Sequence, residues 1–377
     1  MTFSDQRAGP GNRRKRIPRT TARRTLPSPS WTLKALLTAV VAVTVGLFLW
    51  LKSSSTGLGH YTSRAVDWEH RREKVKEAFI CSWDAYTKYA WGQDRFHPLS
   101  KTGSQMSPDG LGWIIVDSLD TLMIMNLTSR LANALKWIHR KLTYDQDQDV
   151  NTFETTIRML GGLLSAHYLS SQLPDVSSRR DHVYLSKAVD LADRLLGAYE
   201  SGSGIPYASV NLREMRGIPS HADGGASSTA EAGTVQMEMK YLAHLTGKEI
   251  YWRKAEKVMK VLDDNGMEGG LLPIFVDPQS GRFTTREIRL GSRGDSYYEY
   301  LIKQYLQTSG QEPVYLEMWA EALHWNPKAS NHLDETLKTH VRCRATKWHR
   351  RPLVSQDGPP RLLLARLHRS RCDERAY

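Results

Sequence analysis

The sequence predicts an all-α fold built from repeated pairs of helices, and three observations carry that prediction. Apolar residues recur near every 3.6 positions in segment after segment, with Leu160, Leu163, Leu164, His167 and Tyr168 as one such stripe. The segments also repeat. Glu154–Ser170 is followed by Tyr184–Glu200, and Glu231–Thr246 by Tyr251–Asp264; YLSKA (Tyr184–Ala188) aligns with YWRKA (Tyr251–Ala255), and SAHYLS (Ser165–Ser170) with YLAHLT (Tyr241–Thr246). Finally, each unit opens on a carboxylate and reaches its second helix, starting around a tyrosine, through a short polar loop. A third copy runs from Asp295 through YLQTSG to a helix at Tyr315–Leu323, and a looser one from Asp117 to Leu142. Such antiparallel pairs close into an α/α toroid, whose parallel helices gather their amino ends and acids at one mouth. Otherwise they stack as an open α-solenoid, in which each acid complements a helix dipole for about 0.3–1 kcal/mol. Periodicity leaves both open.

Taken from the amino end, residues 1–30 form a basic arm with eight Arg/Lys against Asp5 alone. Trp31–Leu51 is apolar apart from Lys34 and three threonines, long enough for a helix to span a hydrocarbon core. We expect a signal anchor over 31–52. The positive arm places the amino end in the cytosol and everything after residue 52 in a lumen. A cleaved signal peptide is the alternative, opposed by the long leading segment and the length of the apolar run. Residues 53–65 read as a polar lumenal stem, and the folded domain is expected over 66–325, beginning with an amphipathic helix at Asp67–Trp91. The helical plan has one expected interruption at Gly270–Gly291. There Leu272–Val276 and Arg282–Leu290 read as strands of a small β-hairpin around DPQSG. Gly202–Gly217 reads as irregular and Gly224–Ser228 as a flexible loop of the kind that lines a site. The sequon Asn126-Leu127-Thr128 falls where a helix ends, and we expect it to be unoccupied.

The net charge of +12 would suit a nucleic-acid binder, but its distribution argues against one. The arm 1–30 carries +7 and the tail 338–377 carries +8, which leaves −3 for 31–337. We therefore expect no nucleic-acid partner. Three cysteines, Cys81, Cys343 and Cys372, are too few for a disulfide framework and lack zinc-site spacing, though Cys343 and Cys372 could pair in a lumen.

Four ordered blocks point to a family. VDSLDTLMIMNL (Val116–Leu127), VNTFETTIRMLGGLLSAHYLS (Val150–Ser170), STAEAGTVQMEMKYLAHLTG (Ser228–Gly247) and LGSRGDSYYEYLIKQYL (Leu290–Leu306) resemble successive stretches of the class I α-1,2-mannosidases, glycoside hydrolase family 47. The flavour is that of the endoplasmic-reticulum members, and the resemblance covers roughly residues 66–325. It implies an (α/α)7 barrel, of which about the first half is here, hydrolysis of terminal α-1,2-linked mannose on high-mannose N-glycans with inversion, and a Ca2+ ion. It also implies residence in the endoplasmic-reticulum membrane, with the Golgi as the alternative. By motif, Glu154 in TFETTIR matches the general acid and Asp295 in RGDSYYEY a second catalytic carboxylate. Arg158, Glu231, Arg293 and Glu299 match residues placed around the sugar, and Asp117 joins them.

The chemistry suits acids on separate helices, because inverting hydrolysis needs an acid and a base roughly 6.5–9.5 Å apart with water between. Arg158 lies four residues after Glu154 on one face and can orient it, while Glu231 is a candidate neighbour to raise its proton affinity. The bland readings are helix-start acids for Glu154 and Glu231, an i,i+4 partner for Arg158 and an N-cap for Asp295.

Beyond about Leu323 the resemblance stops. The family's third essential carboxylate, its disulfide and its calcium-holding terminal motif, all expected further on, have no counterpart in 326–377, which reads as an Arg-rich tail. No metal ligand is therefore expected among the residues present, and the chain is expected to leave the ring open and to be inactive. Two further functions compete with the hydrolase: a glycan-binding relative that escorts misfolded glycoproteins without cutting, and a helical scaffold with no sugar site.

Overall fold

The computed structural model describes residues 29–56, 66–106, 108–265 and 268–325. The expected arm, most of the stem, the tail 326–377, and with it Cys343 and Cys372, lie outside them. The chain divides into two compact units, 1–72 and 73–377. In the first, α1 (Pro29–Thr56) is one 28-residue helix whose described side chains include exposed Leu36, Val43 and Trp50. Among the described residues no helix is long and apolar enough to cross a membrane; the ends of the expected span, 31–33 and 51, have no described side chains.

In the second unit the helical plan holds. After α2 (Trp68–Tyr89) come α3 (Trp113–Asp117), α4 (Leu119–Ile124) and α5 (Thr128–Lys141). Next, α6 (Thr152–Glu154) continues through a π-helical turn, Thr155–Leu160, into α7 (Gly161–Gln172), followed by α8 (His182–Leu195). Then α9 (Thr229–Gly233) and α10 (Gln236–Thr246) precede α11 (Glu249–Asp264), and α12 (Asp295–Gln307) precedes α13 (Pro313–Trp325). The helices α4, α7, α10 and α12 pack side by side in that order, and each packs on its own successor, α5, α8, α11 or α13. This is the repeated pairing expected from YLSKA and YWRKA: Tyr184 and Tyr251 are both fully buried at the start of a second helix, as is Tyr315 in the next pair. At about 25 cal/mol per Å2 such buried rings are among the larger contributions to the core.

Several expectations need correcting. Asp117 does not open a helix; it ends α3, where a bend at Ser118 separates it from α4. The stretch 202–217 is not wholly irregular, because β4 (Ser209–Asn211) pairs with both β3 (Asp149–Asn151) and β5 (Arg216–Ile218) in an antiparallel sheet. The loop 224–228 ends in β6 (Ser227–Ser228), paired with β7 (Phe275–Val276). A further hairpin, β1 (Arg95–His97) with β2 (Thr102–Ser104), had no sequence signal. The 272–290 hairpin is reduced to β7 and two bridges, Pro273 with Ile288 and Val276 with Phe283, around a turn closed by Asp277. These strands are too short to show a period of two, and the β3–β4 and β6–β7 pairs join segments remote in sequence. The sequon Asn126 sits exposed in the α4–α5 turn with φ of 52°.

Candidate active site

The carboxylates sit at helix starts fixed by local chemistry. Asn151 caps the helix of Glu154, its side chain accepting from the Glu154 backbone N–H at 2.7 Å. Ser228 caps α9 in the same way, accepting from the Glu231 N–H at 3.4 Å. Both segments have the cap-x-x-Glu spacing of a capping box, in which the glutamate reaches back to the cap. Here the Glu154 side chain turns elsewhere: its Oε2 accepts from Arg158 Nε at 2.7 Å. Four residues overshoot one α-turn, and the wider π-helical turn that contains Arg158 brings it more nearly over Glu154.

The same guanidinium reaches Asp117, with Nη1 3.5 Å from Oδ2. Close backbone approach makes this possible. A Cβ on Gly162 would lie 2.8 Å from the Val116 carbonyl, so only glycine lets α7 come this near to α3. All three side chains remain more than 40% exposed, so the ion pairs contribute at most about 1 kcal/mol to stability. Their effect is orientation. Glu154 and Arg158 border an open pocket of about 390 Å3 shared with Met106, Trp113 and Asn151, within the roughly 300–1,000 Å3 of small-molecule sites. Burial first, then the negative fields of Asp120 and Glu154, pushes the Asp117 carboxyl up against the pull of Arg158.

Glu231 adjoins this group. Burial pushes its carboxyl up, helped by Asp223 and Glu154, while Arg293 and a hydrogen bond from the Asn151 side chain pull it down. Arg293 holds a left-handed backbone at φ 73°, a conformation that costs a non-glycine residue of order 1–3 kcal/mol and that clusters at functional sites. Its carbonyl accepts from Ala230 N–H at 2.9 Å. Its guanidinium donates to Asp223 Oδ2 at 3.1 Å and lies 4.9 Å from the centre of the Phe275 ring.

Asp295 follows two residues later as the first residue of α12, exposed, with its Oδ1 accepting from Ser296 N–H at 2.9 Å. Ser296 in turn is bonded to Thr234 at 2.9 Å, tying the α12 start to the end of α9. Asp117, Glu154 and Arg158 thus form one group, and Glu231 with Arg293 a second that feels the charge of Glu154. Among the described residues neither Asp295 nor Glu299 shares an ion pair with either group; Glu299 is exposed and pairs with Lys303 one turn on. Sequence reasoning missed Asn151 and Asp223. The cap spacing before Glu154 was a usable signal for Asn151, whereas Asp223 lies in a loop with no motif.

Among the described residues no group of three or more His, Cys, Asp or Glu is placed to hold a metal ion. Asp117 and Glu154 are held by Arg158 and Asp223 by Arg293 rather than converging on one point, so the residues described do not fit a Ca2+ site.

Helix pairs in a row, with acids and arginines paired at their starts and one of these pairs lining a pocket, set the frame for comparison with known proteins. Residues 78–349 match glycosyl hydrolase family 47, and the chain belongs to that family. It is 56% identical over 256 residues to the mannosyl-oligosaccharide 1,2-alpha-mannosidase of Candida albicans, covering 68% of this chain and 44% of that protein. To the endoplasmic reticulum mannosyl-oligosaccharide 1,2-alpha-mannosidase of Saccharomyces cerevisiae it is 46% identical, covering 70% of this chain and 50% of the relative. The solved α-1,2-mannosidase from Trichoderma reesei superposes with a TM-score of 0.63 at 29% identity, covering 70% of this chain and 55% of that one. The chain thus spans about half the length of the relatives it matches. The likeness decides between the two architectures: the helix pairs are those of an α/α barrel fold, not of an open solenoid.

Proposed function

We propose that this chain carries a site for hydrolysing terminal α-1,2-linked mannose from high-mannose N-glycans with inversion, with Glu154 as proton donor, the inactivity expected from the sequence being the competing outcome of the test below. The observation that carries the reading is the bridge from Arg158 to both Glu154 and Asp117 at the rim of a sugar-sized pocket. Arg158 fixes the Glu154 carboxyl toward the leaving oxygen. Glu231, half-buried and pushed toward its neutral form, supplies a neighbouring carboxyl that limits the local charge. Asp295 directs water from the opposite side, and Arg293, Glu299 and Asp117 contact the substrate hydroxyls. Family membership brings a calcium ion with it, which would bind hydroxyl oxygens of the substrate; the described residues form no site for it, and no step here passes through it. The presence of both Glu154 and Asp295 favours cutting over mere binding.

The test is to incubate the chain with a high-mannose N-glycan and Ca2+ and to follow released mannose by NMR. Mannose released initially as the β-anomer is expected, with Glu154→Gln lowering the rate by about 10²–10⁴-fold. Binding without release would favour the expected inactivity or the escort function over hydrolysis, and neither binding nor release by a folded chain would sink all three.

For location, we propose a single-pass anchor in the endoplasmic-reticulum membrane with the catalytic part lumenal. Two things support it: the apolar run Trp31–Leu51 behind a basic arm in the sequence, and the names of relatives such as that of Saccharomyces cerevisiae.

A further inference from the structure

We propose that Met106 with residues 108–113 is a built wall of the sugar pocket and that Asp94 is the positioning residue that sets it. The proposal rests on the sugar reading of that pocket. Asp94 does not line the pocket. It is 2% exposed, and its carboxylate accepts from the backbone N–H groups of Met106 at 3.1 Å, Leu111 at 2.9 and 3.1 Å, and Trp113 at 3.1 Å. Among the described residues it makes no ion pair, so its charge is met by backbone dipoles. A buried carboxylate is costly unless fully hydrogen-bonded, and the donors converge only if the chain bends around it.

The sequence is built for that bend. Gly110 and Gly112 take left-handed backbones, φ 71° and 68°, and a Cβ on Gly112 would come within 2.4 Å of the Trp137 ring. Gln146 holds the outside of the turn, donating to the Gly110 carbonyl at 2.7 Å. At the other end Gln105 accepts from the Asp94 backbone N–H at 3.0 Å. The residues whose amides Asp94 gathers, Met106, Leu111 and Trp113, all line the pocket, facing the same space as Glu154 and Arg158. The result is an apolar wall sharing a pocket with a charged pair. A pyranose offers the matching surfaces, a C–H face and a set of hydroxyls, and sites for such ligands combine apolar lining with a few placed polar groups.

The test compares wild type, Asp94→Asn and Ile138→Val, the last a core truncation in α5 that serves as the control for general destabilisation. Amide hydrogen exchange at Met106, Leu111 and Trp113 should quicken roughly ten-fold or more in Asp94→Asn, since hydrogen bonds to a charged acceptor are lost, and not in Ile138→Val. The dissociation constant for α-1,2-mannobiose, measured by NMR titration, should weaken by about the same factor only in Asp94→Asn. Unchanged exchange at the three amides overturns the positioning role. Faster exchange with unchanged mannobiose affinity overturns the wall. A wild-type chain that ignores mannobiose refutes the sugar reading of the pocket and the wall with it, while the exchange data still decide whether Asp94 sets the segment.

Discussion

Lys240 is 1% exposed in the core of the α10–α13 region, where a lysine is admitted only with full compensation. Its Nζ donates to Glu256 Oε2 at 2.7 Å, Glu312 Oε1 at 2.8 Å and the Tyr315 hydroxyl at 2.8 Å. It also lies 4.5 Å from the ring centres of Trp252 and Tyr315. Gln304 donates to the other oxygen of Glu312 at 2.6 Å. One ammonium therefore ties α10 to α11 and α13, and through Glu312 the network reaches Gln304 of α12. Replacing Lys240 with Met keeps the volume but withdraws the cation that two carboxylates share. Three hydrogen bonds involving charge, at about 1.5–3 kcal/mol each, set an upper bound of roughly 4–9 kcal/mol. Protonation of a carboxylate relieves part of that, so the expected loss is about 3–5 kcal/mol, the usual cost of breaking a buried ion pair. Urea unfolding at neutral pH should show a lower midpoint with an unchanged slope. Adding Glu312→Gln should recover part of the loss. A single variant within about 1 kcal/mol of wild type would refute the reasoning.

Three further outcomes follow from other sites. Glu238 has a buried Oε2 without a hydrogen-bond partner, and burial moves its carboxyl from the ordinary 4.5 up to about 7. Its proton is held more tightly in the folded state, so this contribution is full below about pH 4.5 and is lost as pH rises through 7. Glu238→Gln should flatten that part of the stability–pH curve, worth on the order of 3 kcal/mol, and an unchanged curve would rule this out. Asn151→Ala removes the cap above Glu154 and should cost about 0.5–2 kcal/mol in thermal unfolding, whereas Asn151→Asp should keep most of it. Protease added to sealed microsomes should spare everything after residue 52; digestion of the body would overturn the proposed anchor orientation.

How far the sequence reaches can be judged residue by residue. Helix pairing was legible because burial repeats every 3.6 residues and because Tyr184 and Tyr251 recur at equivalent places; both are fully buried. The positions of Glu154 and Glu231 at helix starts were legible from the same pattern. What those acids do was not, because a helix-start glutamate and a site glutamate read alike until the partner of the side chain is known. Only the close packing of α7 on α3 brings Arg158 to Asp117, a contact across forty residues.

The remaining differences have the same origin. Lys240 within QMEMKYLAHLT carries no mark of burial in the sequence, since its compensating groups come from α11, from the turn before α13 and from α13 itself. Asp94 looks like a loop aspartate until its carboxylate is seen to collect amides up to nineteen residues away. Local periodicity and capping are properties of neighbouring residues, so the sequence by itself determined the helices, their pairing and the family. The pocket wall, the arginine bridges and the buried lysine depend on groups remote in the chain, and only the tertiary structure decided them.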